Sequence, residues 1–510
     1  MEATYQKERG GTLLCECHGE HHLPDYAGDM KKILSTSAHI LPAGKFIGGE
    51  EVQFGGTVCY DVWYLDAEDR LTHEAFSTDY EFSCPCGCGA VDGSASVSVA
   101  HYTLRPSGPR RISAKATLQA VVCLREKATY VCECEAEEAR LHTMQKTLEI
   151  GERIFSAPME REYAESLSIP VSYARGAEII FSEGHVQLEN AAAEADAILV
   201  HGNYTVAVIL AADGLAPLRI AGSYPFEERL PLDGCTDEMA ATANGYFTSL
   251  TCSIREGEGE ECAVTFHGIC ELTGIAERNV PFSVVADAFV EGEGSTCEHE
   301  ALIYDTFGPA EVLCRTVELR LPLPEGEDTL DGVFHTVVSL KNETRTAADA
   351  EIAYSAEAEI NALCYALDAD GAVHCASQKQ SAPFALTLPL HAPLLSDGKI
   401  FLGVRVGACE GYLDEGALCI RFCLHLCVQN YAEREASCVR RITSCASENG
   451  VFVPTYAVYY PSAGDSLWSI AKRYGVSPAA IAACNHLTAE TSSLGSQPLP
   501  KTLLIDQRRK

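Results

Sequence analysis

The feature that most constrains this chain is an alternation that returns at a fixed distance. Val52, Phe54, Gly56, Val58, Tyr60, Val62 and Tyr64 occupy every second position, and 146 residues later Ile198, Val200, Gly202, Tyr204, Val206, Val208 and Leu210 do the same. A period of two puts one apolar face on a β-strand, whereas a helix needs its apolar residues three and four apart. The same offset relates Ile33 to Ile179 and Ile40 to Val186, so the repeating unit is longer than one strand. Each strand runs into a turn, Asp66-Ala67-Glu68-Asp69 or Ala212-Asp213-Gly214, and an aromatic residue follows at Phe82 or Phe226. A third, weaker copy runs from Leu363 to Gly371 with Phe384 beyond it. Its Asp368-x-Asp370-Gly371 lacks the glycine and glutamate spacing of a calcium loop and reads as a hairpin turn. Near the end of that copy, Leu418, Ile420, Phe422, Leu424, Leu426 and Val428 share one strand face, and Cys419, Arg421, Cys423, His425 and Cys427 share the other.

These patterns predict a mainly β chain. Three tandem, sandwich-like domains are expected at residues 12–148, 149–297 and 298–445, then a polar linker at 446–455 and a small module at 456–507. In that module Tyr456 to Tyr460 reads as a strand. Asp465 or Ser466 reads as the cap of a helix carrying Leu467, Ile470, Ala471 and Tyr474, with Gly475 as its stop. Ser477-Pro478 opens a second helix, and Lys501 to Ile505 returns as a strand, which makes a βααβ unit of about 50 residues.

The letters Gly464-Asp465-Ser466-Leu467 also match the nucleophile block of GDSL-type esterases. That reading fails on its partners: the only later histidine, His486, has Ala483 and not Asp three positions before it, and 44 residues cannot hold the remaining strands of such an enzyme. The longer string Gly464-Asp465-Ser466-Leu467-Trp468, with Ile470-Ala471, Tyr474 and Asn485, resembles the LysM family. The resemblance implies a shallow groove between the loop at Gly464, Asp465, Ser466 and Leu467 and the loop at Asn485, His486 and Leu487, holding N-acetylglucosamine through backbone hydrogen bonds. Pro461-Ser462 departs from the usual apolar strand end at a groove wall, and the closing segment reads Pro500-Lys-Thr-Leu-Leu-Ile505. Trp468 is read either as core packing or as an exposed anchor for a protein partner, with Lys472 on the same helix face.

Leu23-Pro24-Asp25-Tyr26, Asp29 to Leu34, the Gly-x-Val-x-Tyr-x-Val-x-Tyr strand and the terminal LysM together resemble the spore-coat-associated SPOCS (DUF3794) proteins of endospore-forming Firmicutes. The resemblance spans most of residues 12 to 445. It implies a non-enzymatic scaffold in spore envelope morphogenesis, made in the mother-cell cytoplasm and recruited to the forespore surface. Its LysM would grip the coat basement-layer ATPase, another coat protein or peptidoglycan. The N-terminus shows no apolar signal region, and no run approaches the ~18 apolar residues that span a bilayer.

Lys+Arg 38 against Asp+Glu 72 gives a net charge of −34, which repels nucleic acid. From Tyr456 onward six basic residues meet three acidic ones, so the tail is +3 and the rest −37. Twenty-four cysteines in a chain of this length do not read as a secreted disulfide framework. Cysteines two apart on a strand cannot bridge each other. Cys84-Pro-Cys86-Gly-Cys88 is the exception, since its turn residues could gather thiolates on zinc, joined by His18, His21 or His22, which follow Cys15 and Cys17 in the same repeat. Reduced thiols that later cross-link, or inert structural cysteines, are the other readings. A hydrolase at Ser466 or a zinc enzyme at Cys84 to Cys88 is the enzymatic alternative; no cofactor-binding motif is read in the sequence.

Overall fold

The computed structural model describes residues 1–510 except 49, 87–89, 135–139, 174–175, 257–261, 324–329, 446–454, 488–498 and 508–510. Its first repeat contains β1 (Glu2–His22), β2 (Met30–Ile47), β3 (Glu51–Asp66), β4 (Leu71–Pro85), β5 (Ala90–Gly108) and β6 (Arg111–Val131), followed by the short β7 (Glu133–Cys134). The second contains β8 (Leu141–Phe155), β9 (Met159–Ile169), β10 (Glu178–Glu194), β11 (Ala197–Ala211), β12 (Leu218–Pro231), β13 (Ala240–Glu256) and β14 (Cys262–Val290). The third contains β15 (Gly294–Pro322), β16 (Gly332–Ala348), β17 (Glu351–Leu367), β18 (Val373–Pro389), β19 (Lys399–Asp414) and β20 (Ala417–Cys445).

One topology serves all three. A meander (β2-β3-β4, β10-β11-β12, β16-β17-β18) packs on a sheet in which the first strand pairs with the last: β1-β6-β5, β8-β14-β13 and β15-β20-β19, with β9 continuing β8 along β14. The alternation in β3 explains the packing, because Val58 and Tyr60 meet Ala114, Ala116 and Leu118 of β6 between the two sheets. The meander turns hold left-handed residues at equivalent places, Asp69 (φ 62°), Gly214 (φ 72°) and Gly371 (φ 82°). At Asp368 the carboxylate accepts the Asp370 and Ala372 N–H groups at 2.9 and 2.8 Å, so it serves as an Asx turn.

The register also corrects the sequence reading. The boundaries expected at 148/149 and 297/298 fall inside β8 and β15, and the first strand begins at Glu2, not residue 12. The first strand of each repeat belongs to the sheet of its last, a pairing too distant in sequence for local patterns to show. Tyr80, not Phe82, matches Phe226 and Phe384, for these three face Gly56, Gly202 and Ala356 of the central strands.

Equivalent surfaces of the repeats meet one another. Trp63, Ile209 and Leu363 hold the same register position on β3, β11 and β17 and pack together with Leu34 and Phe334. A second shared core gathers Tyr130 from the first repeat, Leu148, Phe282 and Val284 from the second, and Leu302, Cys438 and Ile442 from the third. Its polar centre is the Tyr130 hydroxyl, which donates to the Val439 carbonyl at 2.7 Å and accepts the Val285 N–H at 3.2 Å. The repeats therefore form one body.

Candidate functional site

After the third repeat come β21 (Tyr456–Tyr459), α1 (Leu467–Tyr474), α2 (Pro478–Cys484) and β22 (Leu503–Asp506), with β21 and β22 antiparallel. Leu467, Ile470, Ala471, Ile481, Leu503 and Ile505 form its core, as the helical and strand spacings predict. The Ser466 hydroxyl accepts the Ser469 N–H at 3.1 Å while the Ser469 hydroxyl takes the Ser466 N–H at 3.0 Å, a reciprocal N-cap. Gly475 closes α1 in the left-handed region at φ 60°. Ser477 stands at the start of α2 but makes no side-chain cap bond, leaving Pro478 to set the helix entry.

The residues expected to line a groove have different tasks. Gly464, at φ 98°, lies in an exposed loop with Ser462 and Ala463, and nothing stands within 4 Å of where a Cβ would project. Asp465 holds that loop shut at its base, its Oδ2 accepting the Tyr459 hydroxyl at 2.7 Å and the Ser462 N–H at 2.8 Å. The Ser462 amide and Tyr459 keep its carboxyl below the usual range. After α2, Asn485 pins β22 to α2 by a two-way bond with the Leu504 backbone at 2.7 Å, and His486 is exposed in the left-handed region at φ 53°. Leu467 is buried and Leu487 packs partly buried against the same core.

Trp468 packs against the core of the module, as the first of its two readings expects, and Lys472 lies beside it on the same helix face. Both reach the second repeat: the Trp468 indole N–H donates to Asp287 Oδ2 at 2.8 Å and Lys472 Nζ to Asp287 Oδ1 at 2.5 Å. The indole also meets Phe289 edge to face at 5.1 Å, and the Gly292 N–H donates to the Gly475 carbonyl at 2.9 Å. Burial pushes the Asp287 carboxyl up, yet the two donors from α1 outweigh it and hold it below the ordinary value. The helix face read as an anchor for an outside partner is docked on β14. The sequence carried no sign of this, because Asp287 lies 181 residues from Trp468.

The cysteine candidates lie partly outside the described residues. Cys84 and Cys86 are buried beside Val52 and Phe54, while Cys88 lies outside the described residues. His21 is bound to Glu74 at 2.9 Å and His18 stands 3.6 Å from Glu16. Among the described residues, the one group of three with metal-ligating atoms in mutual reach is Cys314, Cys423 and His425. Sequence reasoning placed Cys423 and His425 on one strand face but missed Cys314, which stands opposite His425 on β15.

A two-stranded sheet backed by two helices, with an open loop before the first, defines a small βααβ binding module. Residues 462–493 match the LysM domain family, which associates this part of the chain with peptidoglycan or other glycan binding. No curated protein and no solved structure matches the chain. Among the described residues no helix is long and apolar enough to cross a membrane.

Proposed function

We propose that the protein is a non-enzymatic scaffold that fastens to peptidoglycan or a related N-acetylglucosamine glycan through its LysM domain, while the three-repeat body carries partners of the spore envelope. The observation that carries the glycan reading is the division of labour in the module: Trp468 and Lys472 hold it to β14, and the loop at Ser462 to Gly464 stays exposed. The backbone-lined groove that the LysM resemblance implies suits a neutral sugar, because amide groups recognise hydroxyl and acetamido groups without needing charge. The body carries the acidic charge, and its resemblance to SPOCS proteins supports a place at the forespore surface, reached from the mother-cell cytoplasm.

A second reading rests on a different surface. Tyr456, Val458, Tyr460 and Leu504 stand out from the LysM strands and their flank, with Val458 57 % and Tyr460 71 % exposed, and Val458 faces Leu504 across the ladder. An exposed aromatic and aliphatic strip of this kind suits a protein partner, such as the basement-layer ATPase or another coat protein.

Co-sedimentation of the purified full chain with peptidoglycan tests the first reading. Gly464→Val, which forces a β-branched residue to φ 98°, is expected to weaken binding at least tenfold. Tyr460→Asp is expected to leave it unchanged. A chain that does not sediment with peptidoglycan, yet captures a coat protein that Tyr460→Asp releases, would replace the glycan reading with the second.

A further inference from the structure

Cys314 on β15 and Cys423 and His425 on β20, strands of the third repeat, bring three metal-ligating atoms within 4.8 Å of one another. We propose that they form a metal site for zinc. Cys314 pairs with His425 across the ladder and Cys423 lies diagonally two positions away, so all three project from the same sheet face. It is the face opposite Phe422 and Leu424, which lie in the core of the third repeat.

A buried, unpartnered nitrogen points to a ligand. His425 is 7 % exposed, and its Nε2 has no hydrogen-bond partner. A buried imidazole nitrogen left unpaired costs about 1–3 kcal/mol, which a coordinate bond would remove. The Cys314 and Cys423 sulfurs are 2.6 Å apart, so the two side chains converge on one point beside the ring. Zinc bound tetrahedrally at about 2.3 Å would hold the two sulfurs roughly 3.8 Å apart, within reach of small side-chain rotations.

The surroundings suit the chemistry. Arg405, opposite His425 on β19, donates to the Val186 carbonyl of β10 at 3.3 Å, so the second repeat lies against this face. Gly407 leaves room beside the ring, since a Cβ there would come within 3.2 Å of His425 Nε2. Two thiolates and one imidazole match soft-ligand zinc chemistry and leave one tetrahedral position for water. Binding would release the thiol protons, with no oxidant required.

The test uses the full chain, purified under reducing conditions and loaded with zinc or cobalt. About one zinc per chain is expected, and cobalt should give the thiolate charge-transfer band and intense visible bands of a tetrahedral site. Cys314→Ser and His425→Asn should each lower zinc affinity at least tenfold, whereas Cys84→Ser should not. Circular dichroism confirms that each variant is folded, and a doubly substituted Cys314→Ser, Cys423→Ser chain should show no cobalt charge-transfer band. Retention of metal by that double variant, loss of metal on Cys84→Ser alone, or peptide maps of chain isolated without reductant that show Cys314 and Cys423 joined as a disulfide in place of bound metal would each overturn the proposal.

Discussion

Arg153 touches all three repeats with one guanidinium. It meets Glu277 of β14 at 2.6 Å and Glu8 of β1 at 2.9 Å, and lies 4.6 Å over the Phe307 ring of β15. Glu277 is almost fully buried, and burial pushes its carboxyl up even beside the cation. Removing one partner of such a pair strands the other, which costs more than the pair itself contributes. Arg153→Met is therefore expected to lower unfolding stability by about 3–5 kcal/mol. Arg153→Met with Glu277→Gln should recover part of that loss, because a neutral amide tolerates burial better. Urea midpoints of the wild type and both variants check this; an Arg153→Met chain as stable as the parent would mean the cation ties nothing together.

Helix α1 shows what a sequence can and cannot say about an element. Its cap, apolar stripe and glycine stop are written in adjacent letters, and Ser466, Ile470 and Gly475 take the places that local rules assign. The strands of the meanders were legible for the same reason, since period two needs only neighbours. The docking of Trp468 on Asp287 and Phe289 was not legible, nor was the meeting of Cys314 with Cys423 across 109 residues, because both depend on how distant strands pair. Asp287→Ala should release α1 at a cost of about 1–2 kcal/mol, discounted for the partial exposure of Lys472. In a Trp63→Phe background Trp468 is the remaining tryptophan, and its emission should move to longer wavelength on release. An unchanged emission would place the indole elsewhere. Deleting residues from Tyr456 onward would uncover Phe289, so the body is expected to lose stability without its LysM domain.

For the whole molecule, acid is a sensitive variable. His335 sits buried where the repeats meet, 4 % exposed, at the position that Phe181 holds in the second repeat. Burial holds it down to about 4 despite Glu183 and Asp61, with Arg219 and His73 also facing it. The unfolded chain takes up this proton near pH 6.5 and the folded chain only near 4, so stability falls as pH drops through that interval. Glu183 starts from the opposite tendency, since burial raises it, but His185 and its neighbours hold it near 2. Its contribution is lost below about 4.5. Asp305 works against both, because burial lifts it to about 6 and folding then takes up a proton between roughly pH 6 and 4. His335→Phe should flatten the decline in urea midpoint between pH 6.5 and 4 by on the order of 1–3 kcal/mol. A slope that Phe leaves untouched would assign the acid sensitivity to other groups.

The hydrogen bond from Tyr130 to Val439 spans 309 residues, and that span has a consequence for the order in which the chain is made. A ribosome delivers the first two repeats while the strand that completes their common interior is still unsynthesised. Until Ala436 to Ile442 emerge, Tyr130, Phe282 and Val284 have no lid, and β7 lacks the parallel neighbour it finds at Arg441 and Ile442. The nascent protein thus carries an adhesive flank through most of its own translation, and a transcript broken before this point would yield a product that clumps instead of a shorter working one.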